Sequence, residues 1–296
     1  MRIRPLFYLL TALVFSVSVW AQSAGSGQAT TNAPTAAAPG APDPAALEKA
    51  RKAAQNPIAS MISVPFQENW NFGIGAADRV QNVFIIQPVI PVSLGAHWNV
   101  ITRWVAPIIY QPLRIPQASG PPLQTGAYGF GDMQPQFFFS PKKSGAVTWG
   151  AGPIFLVPTA SQALLSQGKF GIGPTFVALS QPKFGTVGVL VNNIWSVAGH
   201  ENKPDVNQFY LQPFMNYNLK KAWYLSLTTT GITANWEKTN GRWVVPIGGG
   251  PGRVWRFGRQ AVNIQSFFFG NVVHPPGASS WTFRMNFTLL FPHIKG

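Results

Sequence analysis

The chain has 296 residues, of which only 10% are charged, against about 25% in an average soluble domain. It carries 22 Lys and Arg against 8 Asp and Glu, a formal net charge of +14, and no cysteine, which excludes disulfides and thiolate chemistry. Aromatic residues make up 13%, yet beyond the N-terminal segment no apolar run reaches the ~18 residues of a membrane-spanning helix.

In chain order, Met1-Arg-Ile-Arg-Pro5 places two positive charges before an apolar run from Leu6 to about Trp20. Val19-Trp20-Ala21 then offers small residues at the first and third positions of a cleavage site ahead of Gln22. This order reads as a secretory signal peptide over 1–21, cleaved near Ala21. Residues 22–44 are mostly Ala, Pro, Gly, Ser and Thr, a composition that cannot bury a core. Asp43-Pro44 would cap a short helix over 45–54, which is marginal on its own. The expected organisation is a signal peptide 1–21, a periplasmic spacer 22–56 containing that helix, and a β-domain 57–296.

From Asn56-Pro57 the pattern becomes one of strands. Turn signals divide 58–291 into about twelve segments: 58–74, 80–92, 97–113, 128–140, 146–158, 168–180, 184–196, 205–218, 222–234, 242–256, 261–273 and 280–291. From the third gap onward, long and short gaps alternate. Short turns on one side and long loops on the other is the arrangement of an outer-membrane barrel, with the short turns in the periplasm. A soluble β-sandwich would also give many short strands, but would need neither this asymmetry nor so few charges. Pro88, Pro153, Pro174, Pro213, Pro246 and the run Gly248-Gly-Gly-Pro-Gly252 should mark bulges or breaks.

The last segment is the clearest. Trp281, Phe283, Met285, Phe287, Leu289 and Phe291 fall on one face, and Thr282, Arg284, Asn286 and Thr288 on the other, with Leu290 the one break. The fold class expected is therefore all-β: a transmembrane antiparallel up-and-down β-barrel of about 12 strands, exported to the outer membrane of a diderm bacterium.

On such a wall the polar faces of the alternating segments point inward. That makes Arg103, Gln208, Gln212, Asn216, Asn263, Gln265 and Arg284 the candidate lumen-lining residues. Asp132, one of few acids within the strands along with Glu68, joins them, either paired with a lumenal Arg or touching solute. An Arg on the lipid face at mid-depth would cost roughly 2–4 kcal/mol, so lumen or rim is expected for each. Arg253 and Arg256 are three apart and cannot share a face unless a bulge at Gly250-Pro251-Gly252 reconciles them. Inner Phe267 and Phe269 would narrow the lumen.

Catalytic, cofactor and metal candidates are absent. His97 and His293 fall near one rim, and His200 and His274 in loops on the other, so they cannot share a metal. Ser196 and His200 are the nearest approach to a nucleophile and base. Lys142, Lys143, Lys183, Lys220 and Lys221 sit in the short turns as a solvated rim. An exported chain with no basic run longer than two is not expected to bind nucleic acid; its expected partners are outer-membrane lipid, the barrel-assembly machinery and a small solute.

Five segments carry a family resemblance: Asn56-Pro-Ile-Ala-Ser-Met-Ile-Ser-Val-Pro-Phe-Gln67, Gln87-Pro-Val-Ile-Pro91, Gly129-Phe-Gly-Asp132, Val206-Asn-Gln-Phe-Tyr-Leu-Gln-Pro-Phe-Met-Asn-Tyr-Asn218 and Val245-Pro-Ile-Gly-Gly-Gly250. On these the chain resembles an exported bacterial family labelled "neuromedin U" or transporter, related to the outer-membrane proteins of the meta-pathway phenol-degradation group. The resemblance implies an outer-membrane barrel that transports small, hydrophobic compounds, and it implies no catalytic residue. The functional expectation is a passive channel without cofactor or enzymatic activity, favouring anionic or aromatic solutes. The competing expectation is a non-conducting structural or binding barrel.

Overall fold

The computed structural model describes residues 44–59, 61–115, 123–258 and 260–291. The expected signal peptide 1–21, the spacer residues 22–43 and the tail 292–296 with His293 lie outside the described residues. One helix, α1 (Pro44–Ala54), precedes β1 (Ile62–Ile74), β2 (Arg79–Ile86), β3 (Val89–Leu94), β4 (Trp98–Ile115), β5 (Leu123–Phe130), β6 (Gln134–Pro141), β7 (Thr148–Leu156) and β8 (Lys169–Ser180). Then follow β9 (Gly185–Gly199), β10 (Asn207–Asn218), β11 (Trp223–Thr228), β12 (Ile232–Asn235), β13 (Trp243–Phe257), β14 (Gln260–Val273) and β15 (Trp281–Phe291).

All strands belong to one antiparallel sheet, and the sheet closes on itself. β15 pairs with β1 from Ile62 opposite Phe291 to Phe72 opposite Trp281. β2 with β3, β5 with β6, and β11 with β12 each make up one interrupted stave, so the wall is a barrel of 12 staves. Closure leaves no unpaired edge, which is the condition for a sheet to sit in hydrocarbon. The expected segments coincide with the staves to within a few residues.

The two mouths differ. The mouth that holds the start of β1 and the end of β15, the terminal mouth, is bordered by the short connections 95–97, 142–147, 181–184 and 219–222. The opposite mouth carries 157–168, 200–206, 236–242 and 274–280, with the tight 75–78 turn as the exception. The period-two pattern sorts the faces. In β15 Thr282, Thr288 and Leu290 are buried toward the interior, while Met285 and Phe287 are exposed outward. Trp98, Trp149, Trp223 and Trp255 point outward at the terminal end, as an aromatic girdle does.

Prolines behave unevenly. The ladder breaks at Gln87-Pro88 between β2 and β3, and its register shifts between Val245 and Pro246. Pro153 and Pro174 instead lie opposite each other in an intact β7–β8 ladder, so the missing amide donors coincide, and Pro213 sits in a regular β9–β10 ladder. The bulge expected at Gly250-Pro251-Gly252 is not formed: β11 pairs with β13 without a shift from Gly248 to Arg253. The glycines make room instead. A Cβ on Gly252 would enter the ring of Tyr224 on the neighbouring strand.

Without that bulge Arg253 and Arg256 take opposite faces. The Arg253 guanidinium lies outward over Trp255 at 3.6 Å and Trp223 at 5.2 Å, a cation–π stack within the girdle. Arg256 Nε donates to Gly258 O at 3.0 Å beside the terminal mouth.

Residues 45–56, grouped above with a spacer, are seated on the inner wall. Ala50 is buried with Ala222, Tyr224, Val254 and Leu290, with Leu47, Ala54 and Met61 packed around them. Arg51 Nη1 donates to Leu219 O at 3.0 Å, and Gln55 Nε2 donates to Asn218 Oδ1 at 3.0 Å. Gln55 Oε1 accepts from Thr186 Oγ1 at 2.8 Å. Beyond the helix an Asx turn, Ile58 N donating to Asn56 Oδ1 at 2.9 Å, drives Ile58 into an inner apolar cluster with Val89, Ile101, Phe138, Val177, Leu179 and Leu190.

Candidate solute path through the lumen

Two cavities lined by the described residues lie inside the barrel. The one next to the terminal mouth has a volume of about 190 Å³, with Ala53 to Pro57 forming part of its lining. The other opens toward the long-loop mouth and has a volume of about 280 Å³. They share Gln67, Gln87, Arg103, Gln212 and Arg284, which therefore form the neck between them.

Arg103 comes from the inner face of β4, where Ile101 and Val105 flank it. Its Nη1 donates to Gln136 Oε1 at 3.2 Å. With the Gln87 amide oriented to satisfy both groups, its oxygen accepts from Arg103 Nε and Nη2. Arg284 comes from the inner face of β15. Its Nε donates to Asn69 Oδ1 at 2.7 Å across the β1–β15 seam, and its guanidinium sits 5.2 Å from the centre of the Phe269 ring. Phe269 in turn stacks with Phe267, centroids 5.6 Å apart. Both inner phenylalanines thus support the neck.

The ion pairs formed among the described residues are Arg51–Glu48 and Lys169–Asp205. Neither neck arginine has a carboxylate partner there. Their charges are solvated by neutral amides and, for Arg284, an aromatic face. Uncompensated buried charge is costly, and it leaves a positive potential in the passage.

The expected lumen residues are placed differently. Gln208 lines the long-loop cavity, Asn216 and Gln265 line the terminal cavity, and Gln212 lines both. Gln212 is held by its own bonds, donating to Thr229 O at 3.1 Å and accepting from Tyr210 Oη at 3.0 Å. Asn263 is committed to the wall: its Oδ1 accepts from Tyr224 Oη at 2.7 Å, and its Nδ2 donates to Gln265 Oε1 at 3.2 Å. Asn216 similarly accepts from Ser226 Oγ.

Asp132 borders the long-loop cavity, but its oxygens face the 157–168 loop. They accept from Gln167 N at 2.6 Å, Ser166 Oγ at 2.9 Å and Ala160 N at 3.2 Å, so the carboxylate folds that loop and does not neutralise an Arg. Glu68 does not either. Ser63, Pro65 and Gln67 face the cavities, which turns Glu68 to the outer face of β1, where it accepts from Asn82 Nδ2. Asp205, in the 200–206 loop, accepts from Lys169 Nζ at 2.9 Å and Ser196 Oγ at 3.2 Å. The Lys169 ammonium holds its carboxyl below the usual range. Ser196 is thereby bound to Asp205 and to Val206 N, not to His200. His97 lies at the terminal mouth, and His200 and His274 at the other.

Sequence reasoning did not single out Gln67, Gln87 and Tyr210 for the lumen. A parity rule finds two of them. Tyr210 shares its face of β10 with Gln208 and Gln212, and Gln67 shares its face of β1 with Asn69 and Asn71. Gln87 falls at the Pro88 break, where parity gives no answer.

No protein-family model matches the chain, and no curated protein matches it. Among solved structures, an outer-membrane channel from Pseudomonas putida F1 is similar with a TM-score of 0.54 and 11% identity, over 78% of this chain and 94% of that one. The NanC porin follows at a TM-score of 0.47 and 8% identity, over 78% of this chain and 100% of its own. The CymD monoaromatic hydrocarbon channel reaches 0.41 and 8%, over 83% and 93%. At such identities the likeness is one of fold: a closed barrel of the outer-membrane type.

Proposed function

We propose that this protein is an outer-membrane channel through which small solutes pass by diffusion, with anions favoured. The observation that carries the reading is the pair Arg103 and Arg284, two guanidinium groups without a carboxylate partner among the described residues, at the neck shared by both cavities. Fixed cations in a narrow passage draw anions in, and neutral Gln and Asn amides around them exchange hydrogen bonds with a passing solute. Phe267, on the wall of the terminal cavity, favours solutes with an apolar part. The fold shared with the Pseudomonas putida channel supports a transport role and an outer-membrane location in a diderm bacterium, with the terminal mouth in the periplasm. The resemblance to the meta-pathway phenol-degradation group supports the same class. On this reading the partners are outer-membrane lipid, a small solute and the assembly machinery, and the lumen residues act as a selectivity lining without catalysis or cofactor.

Purified protein in planar bilayers is expected to give ion current with a reversal potential displaced toward the anion, and liposomes containing it are expected to take up small organic anions. Absence of both leaves the alternative, a non-conducting structural barrel.

A further inference from the structure

We infer that α1 is a hinged gate for the channel, seated across the terminal mouth and able to leave it while the barrel stays intact. The inference rests on the channel reading above, whose passage it would open and close.

The helix occupies the path. Ala53, Ala54 and Gln55 form part of the wall of the terminal cavity, so the solute route ends against them. Among the described residues, the side-chain contacts that seat α1 on the wall are of a releasable kind. Its apolar side is Leu47, Ala50 and Ala54, one stripe of an 11-residue helix whose central members are single methyl groups. Its polar anchors are Arg51 on the Leu219 carbonyl, Gln55 on Thr186 and Asn218, and the Lys52 carbonyl accepting from Gln181 Nε2 at 2.9 Å. Water can replace each of these bonds at small net cost. Arg51 Nε is buried with no partner, a further cost of the seated state that release removes.

The seat is also wettable. Around it the wall presents Thr186, Asn216, Ser226 and Thr288, the same chemistry as the lumen above. Withdrawal of α1 therefore uncovers a mixed surface, these polar groups beside the small apolar floor of Ala222, Tyr224, Val254 and Leu290.

The pivot is distinct from the moving part. Ile58 is 4% exposed in a cluster drawn from β3, β4, β6, β8 and β9. It ties the chain to the wall just before β1, independently of the α1 seat. The turn at Asn56-Pro57 separates this anchor from the helix.

The native chain has no cysteine, so a pair can be introduced cleanly. Full-length protein carrying Ala50→Cys and Ala222→Cys, bridged by a short reducible methanethiosulfonate crosslinker, is expected to fall silent in planar bilayers and to regain current on reduction. A second variant, Arg51→Ala with Gln55→Ala, is expected to raise open probability several-fold while heat-modifiable migration shows the barrel intact. Equal conductance in bridged and reduced protein, or an unchanged open probability when the anchors are cut, would overturn the gate while leaving the channel. Silence of every protein, including the one with its anchors cut, would overturn channel and gate together.

Discussion

Arg103 and Arg284 sit at the same neck but are held differently. Arg103 is gripped by the amides of Gln87 and Gln136, whereas Arg284 spans the barrel seam to Asn69 and leans on a ring. Replacing both by Gln should move the reversal potential in a salt gradient toward zero, with each single variant in between; an unchanged potential would remove them from the selectivity argument. The same substitution should not destabilise the barrel. Two cations without a counter-charge cost desolvation that their amide bonds only partly return, so the double variant is expected to match or exceed the parent in thermal unfolding followed by gel mobility. At this scale the sequence was legible wherever a strand alternated cleanly, as for Arg284, Gln212 and Gln265. It misled where pairing partners had to be guessed. Asp132 is expected either to pair with a lumenal Arg or to touch solute, but its oxygens are bound by a loop, and Glu68 is turned outward by strand parity.

Among elements, the twelve staves were readable because hydrophobic alternation and turn residues agree, and because closure demands an even, antiparallel set. The interruptions were less so. Pro88 announces the break between β2 and β3, but the break at 229–231 falls at a lone Gly231, whose φ of +120° and close approach to the Tyr210 ring appear only in the structure, and the glycine run in β13 keeps its register, with Tyr224 filling the space over Gly252. Helix α1 was visible from its formers and its Asp-Pro start, yet its seat was not, since an amphipathic stripe of alanines does not say what it touches. Loops have their own chemistry. Asp205, depressed by Lys169, contributes stability that is fully present above the ordinary carboxylate value of about 3.9 and is lost as pH falls through its lower folded value. Protection of the 200–206 amides, relative to their intrinsic exchange rate at each pH, should therefore hold near pH 4 and fall only further into acid, whereas Lys169→Met should lower it already at neutral pH. Exchange that does not respond to Lys169→Met would mean the ion pair does not pin the loop.

For the whole molecule, the outward face is the solvent contract with lipid. Phe268, more than half exposed on that face near the middle of β14, is expected to cost roughly 2–4 kcal/mol when changed to Arg, measured by folding into lipid vesicles over a denaturant series. A cost near zero would place Phe268 at an interfacial depth. The composition that excluded a soluble surface, few charges and many aromatics, is accounted for by this face and its girdle, and part of the +14 by the turn lysines together with Arg103 and Arg284, which have no carboxylate partner among the described residues.

Leu290, the single residue that spoils the alternation of the last strand, faces inward because it is part of the floor on which Ala50 rests. That floor is contributed by β11, β13 and β15, and it does not exist until the final strand has been laid beside its neighbours. An isolated 11-residue helix is barely stable in water. The first described element in chain order is thus the last to acquire its fold, and the finished barrel acts as the template for it. Protection of α1 amides during refolding should accordingly lag behind closure of the β1–β15 seam.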